Sequence, residues 1–254
     1  MGPAPFPCPM AAALLVSTTV KSRADFVFWI SFAAFALFTA MVATRLLHPM
    51  DAWVLRAAQS RASEGLDVVG VVLSLPGTAE YTGGAILVLC AGLFLAGRRL
   101  LAGSLLAAFL ATGLVEFAMK TWVPQVPVPD EAARSTDPSP LLEVHYPYPY
   151  PSGHMLRGVI VLGAVFLLWP NRLLRTVVLV LLLGLAASRV YLGVHWASDV
   201  IGGALLGVAA LAWVFRKRSA ISGQPRADDQ TQRADPGHKC PSREHAAASI
   251  SATS

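Results

Sequence analysis

Charge is scarce in this chain. Only 14% of its 254 residues are Asp, Glu, Lys or Arg, 55% are hydrophobic, and the mean hydropathy is +0.56. An average soluble domain carries about 25% charged residues, so this balance excludes one and marks a polytopic membrane protein. Cysteine is scarcer still. Cys8, Cys90 and Cys240 are scattered along the chain, without the spacing of a metal site or the framework of a disulfide-stapled domain. The shortage of acidic residues leaves a formal net charge of +5. The basic residues stand in short runs at the ends of apolar stretches, the pattern that orients membrane proteins, and they form no continuous patch for nucleic acid. They are missing ahead of the short apolar run 10–16, where a cleaved signal peptide needs them, and Lys21 and Arg23 follow it instead. Residues 1–25 are therefore expected to form a disordered cytoplasmic leader. Residues 217–254, polar and poor in large apolar side chains, are expected to form a disordered cytoplasmic tail.

What the chain has in quantity is long apolar runs. Six of them approach the roughly 20 residues that cross a bilayer as a helix: 26–47, 80–97, 100–122, 154–169, 173–191 and 194–215. The expected fold is all-α, a six-transmembrane-helix bundle over residues 26–216. Lys21 and Arg23, then Arg98 and Arg99, Arg172 and Arg175, and Arg216, Lys217 and Arg218 flank the runs on alternate connections. These connections and both termini are placed in the cytoplasm. The intervening segments 48–79 and 123–152 carry Asp51, Glu64, Asp67, Asp130, Glu131, Asp137 and Glu143 and are placed outside. Within the first, residues 51–58 and 66–73 read either as short amphipathic helices at the interface or as plain connecting loop. The second is rich in proline, so extended backbone is expected there. The Ala-, Leu- and Arg-rich composition has a bacterial cast, which suggests a plasma membrane.

This topology gathers a scattered set of polar residues. Lys120 ends the third run, Ser152, Gly153, His154 and Arg157 open the fourth, Ser188 and Arg189 end the fifth, and His195 and Asp199 open the sixth. All arrive at the same, outer face. Ionisable groups beside a bilayer call for a functional reading, and these types suit phosphoryl transfer, where positioning and charge stabilisation supply most of the catalysis. Arg189 offers a planar fork for phosphate, Lys120 a point charge, and the amides at Ser152 and Gly153 a helix N-terminal anion site. His195 and Asp199 are four apart on a helix, so the carboxylate can hold the imidazole tautomer that leaves the other nitrogen free to attack. His154 is then available to protonate the leaving oxygen. Taken singly, each has a plainer reading: an interfacial histidine, an arginine reaching to headgroups, a Pro-Ser-Gly turn before a helix. Their joint spacing and shared face favour the site.

Two motifs carry a resemblance. Pro151-Ser152-Gly153-His154, followed by Ser188-Arg189 with five residues to His195 and three more to Asp199, resembles the type 2 phosphatidic acid phosphatase family. That family is the membrane branch of the acid phosphatase and vanadium haloperoxidase superfamily. The resemblance implies that His195 is a nucleophile forming a phosphohistidine, that Asp199 orients it, and that His154 is the general acid and later the base for water. It further implies that Lys120, Ser152, Gly153, Ser188 and Arg189 hold the phosphate oxygens, and that no metal or cofactor is required. The first motif of the family, a lysine followed at a distance by Arg-Pro, is altered: Pro127 stands where the arginine is expected after Lys120. Arg157, three residues after His154 and so on its helical face, is the expected replacement, with Arg134 as a second candidate. Glu116, four before Lys120, is expected to pair with that lysine.

The expected function is hydrolysis of a phosphomonoester or pyrophosphate on a lipid at the outer leaflet, with vanadate as an inhibitor. A polyprenyl phosphate such as undecaprenyl diphosphate competes with a glycerolipid such as phosphatidic acid or phosphatidylglycerophosphate as substrate. The outward site tilts the choice slightly to the polyprenyl carrier. A phosphotransferase would use the same residues, and a lipid-binding or transport protein with altered catalysis stands as the reading from another class.

Overall fold

The computed structural model describes residues 9–134 and 146–222, with side chains for 23–134 and 146–216. Its helices are α1 (Pro9–Ala43), α2 (His48–Gln59), α3 (Glu64–Ser74), α4 (Ala79–Leu95), α5 (Arg99–Trp122), α6 (Gly153–Leu168), α7 (Arg172–Tyr191) and α8 (Ala197–Ser222), with single 3-10 turns at Leu75–Gly77 and Asp130–Ala132. The described residues are otherwise turns and extended segments.

Local chemistry sets the helix ends. Ser63, Thr78 and Asn171 cap α3, α4 and α7 by accepting from the amides of Leu66, Tyr81 and Leu174. Prolines follow α5 and α6 closely, at Pro124 and Pro170, where they stop helix propagation. Gly97, at φ 77°, adopts the left-handed backbone that reverses the chain between α4 and α5.

Four of the six expected spans match crossing-length helical runs to within a few residues, the second falls inside a longer run that starts at Glu64, and the fourth keeps its expected bounds but differs in kind. Among the described residues five helical runs are long and apolar enough to cross a membrane: Arg23–Ala43, Glu64–Leu95, Arg99–Trp122, Arg172–Tyr191 and Ala197–Arg216. The expected fourth span, α6, has 16 residues and a length of about 24 Å, short of the roughly 30 Å hydrocarbon core. It sits inside the bundle: Leu156, Ile160 and Ala164 are fully buried, so neighbouring helices, not lipid, cover its flanks. The first helix starts at Pro9, so the expected leader is helical from that residue onward. It ends at Ala43 because Arg45 takes φ 59° in the turn into α2. The last helix starts at Ala197, because Gly193 at φ 70° breaks the chain after α7. It runs on to Ser222, past the expected boundary, and the rest of the expected tail lies outside the described residues. The two short helices are real: 51–58 falls in α2 and 66–73 in α3, which settles that choice against a plain loop.

The largest packing interfaces join α8 to α1 and α6, and α3 to α7. Lipid tails are as apolar as leucine, so membrane helices associate through close packing at small residues. Side chains absent from glycine make the α6–α8 contact possible. A Cβ on Gly207 would stand 2.8 Å from Val159, and one on Gly203 would press on the Ser152 carbonyl. Trp29, Leu37, Val88, Leu114 and Leu183 face outward and are exposed, the surface a bilayer covers.

Candidate active site

The entry into α8 holds a closely bonded group of buried side chains. Asp199 is fully buried. Its Oδ2 lies 3.1 Å from His195 Nδ1 and accepts from the Trp196 amide at 2.9 Å. The carboxylate thereby holds the imidazole by its Nδ1. Main-chain bonding ties this turn to the start of α6: the Ser152 amide donates to the Asp199 carbonyl at 2.9 Å. His154, in the first turn of α6, is 5% exposed and lies within electrostatic range of Arg189, Arg157, His195 and Lys120. The residues expected to converge do so at one end of the bundle.

Arg189 is the largest fully buried side chain and donates to Ser74 Oγ at 2.6 Å. Ser188, beside it, donates its hydroxyl to the Leu185 carbonyl of its own helix at 2.8 Å. On the opposite wall, Glu116 lies between two cations, 3.4 Å from Lys120 Nζ and 2.8 Å from Arg157 Nη1. Lys120 also sits over the Tyr146 ring, 4.8 Å from its centroid. Gly153 has no room for a Cβ, because the Glu116 carboxylate and the Arg157 guanidinium lie against it. Two buried donors, Ser152 Oγ and Arg157 Nε, find no hydrogen-bond partner among the described residues. Such orphans are costly at about 1–3 kcal/mol each, and an anion's oxygens would satisfy both.

The stretch after Lys120 is stitched to α8. Gln125 Nε2 donates to Ser198 Oγ at 3.0 Å, and Trp196 Nε1 donates to the Val126 carbonyl at 2.7 Å. Asp51, from α2, completes this corner by accepting from the Ser198 amide at 2.9 Å and the Ser198 hydroxyl at 2.6 Å. Burial pushes the Asp51 carboxyl above its ordinary value, and these two bonds oppose the rise. Burial likewise pushes the Tyr150 phenol up to about 12. It stays protonated and shares a hydrogen bond with Thr39 Oγ1 of α1 at 2.9 Å.

The profile of the PAP2 superfamily matches residues 83–222, more than half of the chain. This protein belongs to the PAP2 superfamily. No curated protein matches it. Among solved structures it is similar to one described as the crystal structure of the first transmembrane PAP2-type phosphatidylglycerolphosphate phosphatase from Bacillus subtilis. The TM-score is 0.64 at 22% identity, over 77% of this chain and 98% of that one, and at that identity the likeness speaks for the fold.

The segment after Lys120 in this PAP2 protein lacks the arginine that the resemblance leads one to expect. Pro127 offers no side-chain donor, and the loop spends Gln125 and Val126 on α8. Arg157 reaches the cluster from α6, as its spacing from His154 suggested. Arg134 does not join it: its guanidinium is committed to Asp67 by bonds of 2.7 and 3.0 Å. Three residues of this PAP2 site escaped the sequence reading: Asp51, Ser74 and Gln125. Asp51 and Ser74 meet partners 147 and 115 positions away, beyond the reach of any local spacing rule. A signal for Asp51 existed only in its acidic character on an otherwise apolar turn.

Proposed function

We propose that this protein is a membrane lipid phosphate phosphatase that works through a phosphohistidine on His195. The observation that carries the reading is the 3.1 Å His195–Asp199 contact, fixed at the same end of the bundle as His154, Arg189, Lys120 and Arg157. With Nδ1 protonated toward Asp199, the Nε2 lone pair attacks phosphorus, forming the P–N bond as the P–O bond to the lipid breaks. His154 gives its proton to the departing alkoxide or phosphate oxygen. Water then attacks the phosphohistidine, His154 takes a proton from it, and the P–N bond breaks to release phosphate. Arg189, Lys120, Arg157, Ser152 and the Gly153 amide stabilise the charge on the equatorial oxygens. The mechanism needs only these side chains and water.

The basic connections favour an outward-facing site, where the substrate is a phosphomonoester or pyrophosphate of a polyprenyl or glycerolipid in the outer leaflet. Phosphate release by the purified protein from polyprenyl monophosphate, polyprenyl diphosphate, phosphatidic acid and phosphatidylglycerophosphate tests the reading. Release from at least one of them is expected, inhibited by vanadate. His195→Ala should lower it by about a thousandfold or more, together with the acid-labile phosphoenzyme seen on rapid quench. Wild type no faster than His195→Ala on every substrate would overturn the proposal.

A further inference from the structure

Glu116 does more in this site than its spacing from Lys120 predicts. It lies on a membrane-crossing helix, is 7% exposed, and bridges Lys120 of its own helix and Arg157 of α6. A buried carboxylate is expensive, and holding the lysine would take only one cation. Its second partner stands at the shorter distance, 2.8 Å against 3.4 Å. The contact also fills the space at Gly153 that a Cβ would need, so the carboxylate sits against the first turn of α6, where a phosphate would meet the helix amides.

Charge accounting suggests what this does. Lys120, Arg157 and Arg189 bring three fixed positive charges to the cluster; the proton on His154 passes to the leaving oxygen and offsets its charge, and the His195–Asp199 pair is internally compensated once the imidazolium forms. A phosphomonoester carries a charge of about −2 near neutral pH, and a diphosphate carries one negative charge more. Glu116 offsets one of the three cations and leaves an excess of two, the match for the monoester. We infer that Glu116 is a specificity-determining and positioning residue: it holds Arg157 in the role the missing first-motif arginine would fill, and it tunes the site to a lipid phosphomonoester over the corresponding diphosphate. The inference rests on the phosphatase reading above and narrows its substrate class.

The test compares kcat/KM for one polyprenyl chain bearing a monophosphate or a diphosphate, in wild type, Glu116→Gln and Glu116→Asp. Wild type is expected to favour the monophosphate by tenfold or more. Glu116→Gln keeps the size of the side chain under Gly153 but removes its charge, and should shrink that preference by at least tenfold. Glu116→Asp, which keeps the charge, should lower kcat while holding the preference within about threefold. A purely structural role would lower both substrates alike and leave the ratio where it was, and an unchanged ratio in Glu116→Gln overturns the inference. A wild-type preference for the diphosphate overturns it as well, while leaving the phosphatase reading intact; hydrolysis of neither substrate or any other lipid phosphate sinks that reading itself. If Glu116→Gln does not fold, Arg157→Gln reads the same charge account from the other side. Removing a cation should steepen the discrimination against the diphosphate as total activity falls, and a relaxed or constant ratio there refutes the inference.

Discussion

The carboxylate of Asp51 accepts from both the main-chain amide and the hydroxyl of Ser198, so that a residue of α2 supplies the cap for α8 one position before Asp199. Removing it leaves the Ser198 donors buried, at a cost of about 1–3 kcal/mol. Asp51→Ala is expected to lower the thermal midpoint in detergent by several degrees and kcat by at least tenfold, and Asp51→Asn, which retains an acceptor, by less. The pH dependence gives a separate signature. Burial raises the folded-state value of this carboxyl above 3.8. From that value upward, through the raised one, the folded protein holds a proton the unfolded chain has released. Stability contributed by this group therefore falls as pH rises through that window. Asp51→Asn cannot titrate, so its melting temperature should lack that part of the decline; an identical profile in both proteins would remove Asp51 from the account. At this scale legibility divided by distance along the chain. Arg157 was readable because it is three residues from His154 on one helix, and Glu116 because it is four from Lys120. Asp51 and Ser74 were not, because their meaning comes from tertiary neighbours more than a hundred positions away.

Helices here were easy to read and their joints were not. Long apolar runs mark α4, α5, α6 and α7 to within a residue or two, whereas the runs of α1 and α8 extend across the turns after Ala43 and before Ala197, where Arg45 and Gly193 take positive φ. Gly193 does more than turn the chain. A Cβ there would collide with the Ala132 carbonyl, and the Arg134 amide donates to the Leu192 carbonyl at 3.0 Å. The segment 130–134 thus lies directly on the joint between Arg189 and His195. Gly193→Ala faces about 1–2 kcal/mol of backbone strain in addition to this contact. It should lower kcat at least tenfold while the helical circular dichroism is kept, and make the 123–134 segment more susceptible to limited proteolysis. Full activity with an unaltered cleavage pattern would show that the segment is only a passive neighbour of the joint.

For the molecule as a whole, the alternation of basic connections alone places the two motifs and Lys120 at one end, where the helices also bring them. The span count was the weaker part, since hydropathy cannot distinguish a helix that faces lipid from one, like α6, that faces other helices. The outward orientation proposed from the same charges is open to direct test. In a protein with Cys8, Cys90 and Cys240 changed to Ala, Ser60→Cys at the site end should react with a membrane-impermeant maleimide in intact cells. Arg98→Cys, at the other end, should react only after lysis, and the reverse pattern would place the site in the cytoplasm.

The bond from the Ser152 amide to the Asp199 carbonyl joins the two histidine-bearing turns through atoms that every residue but proline possesses. Side chains can then be exchanged around the site during evolution without shifting the nucleophile against the acid. A lineage can lose an arginine from one loop, recruit another from a helix, and pass through intermediates that still hold both histidines in register.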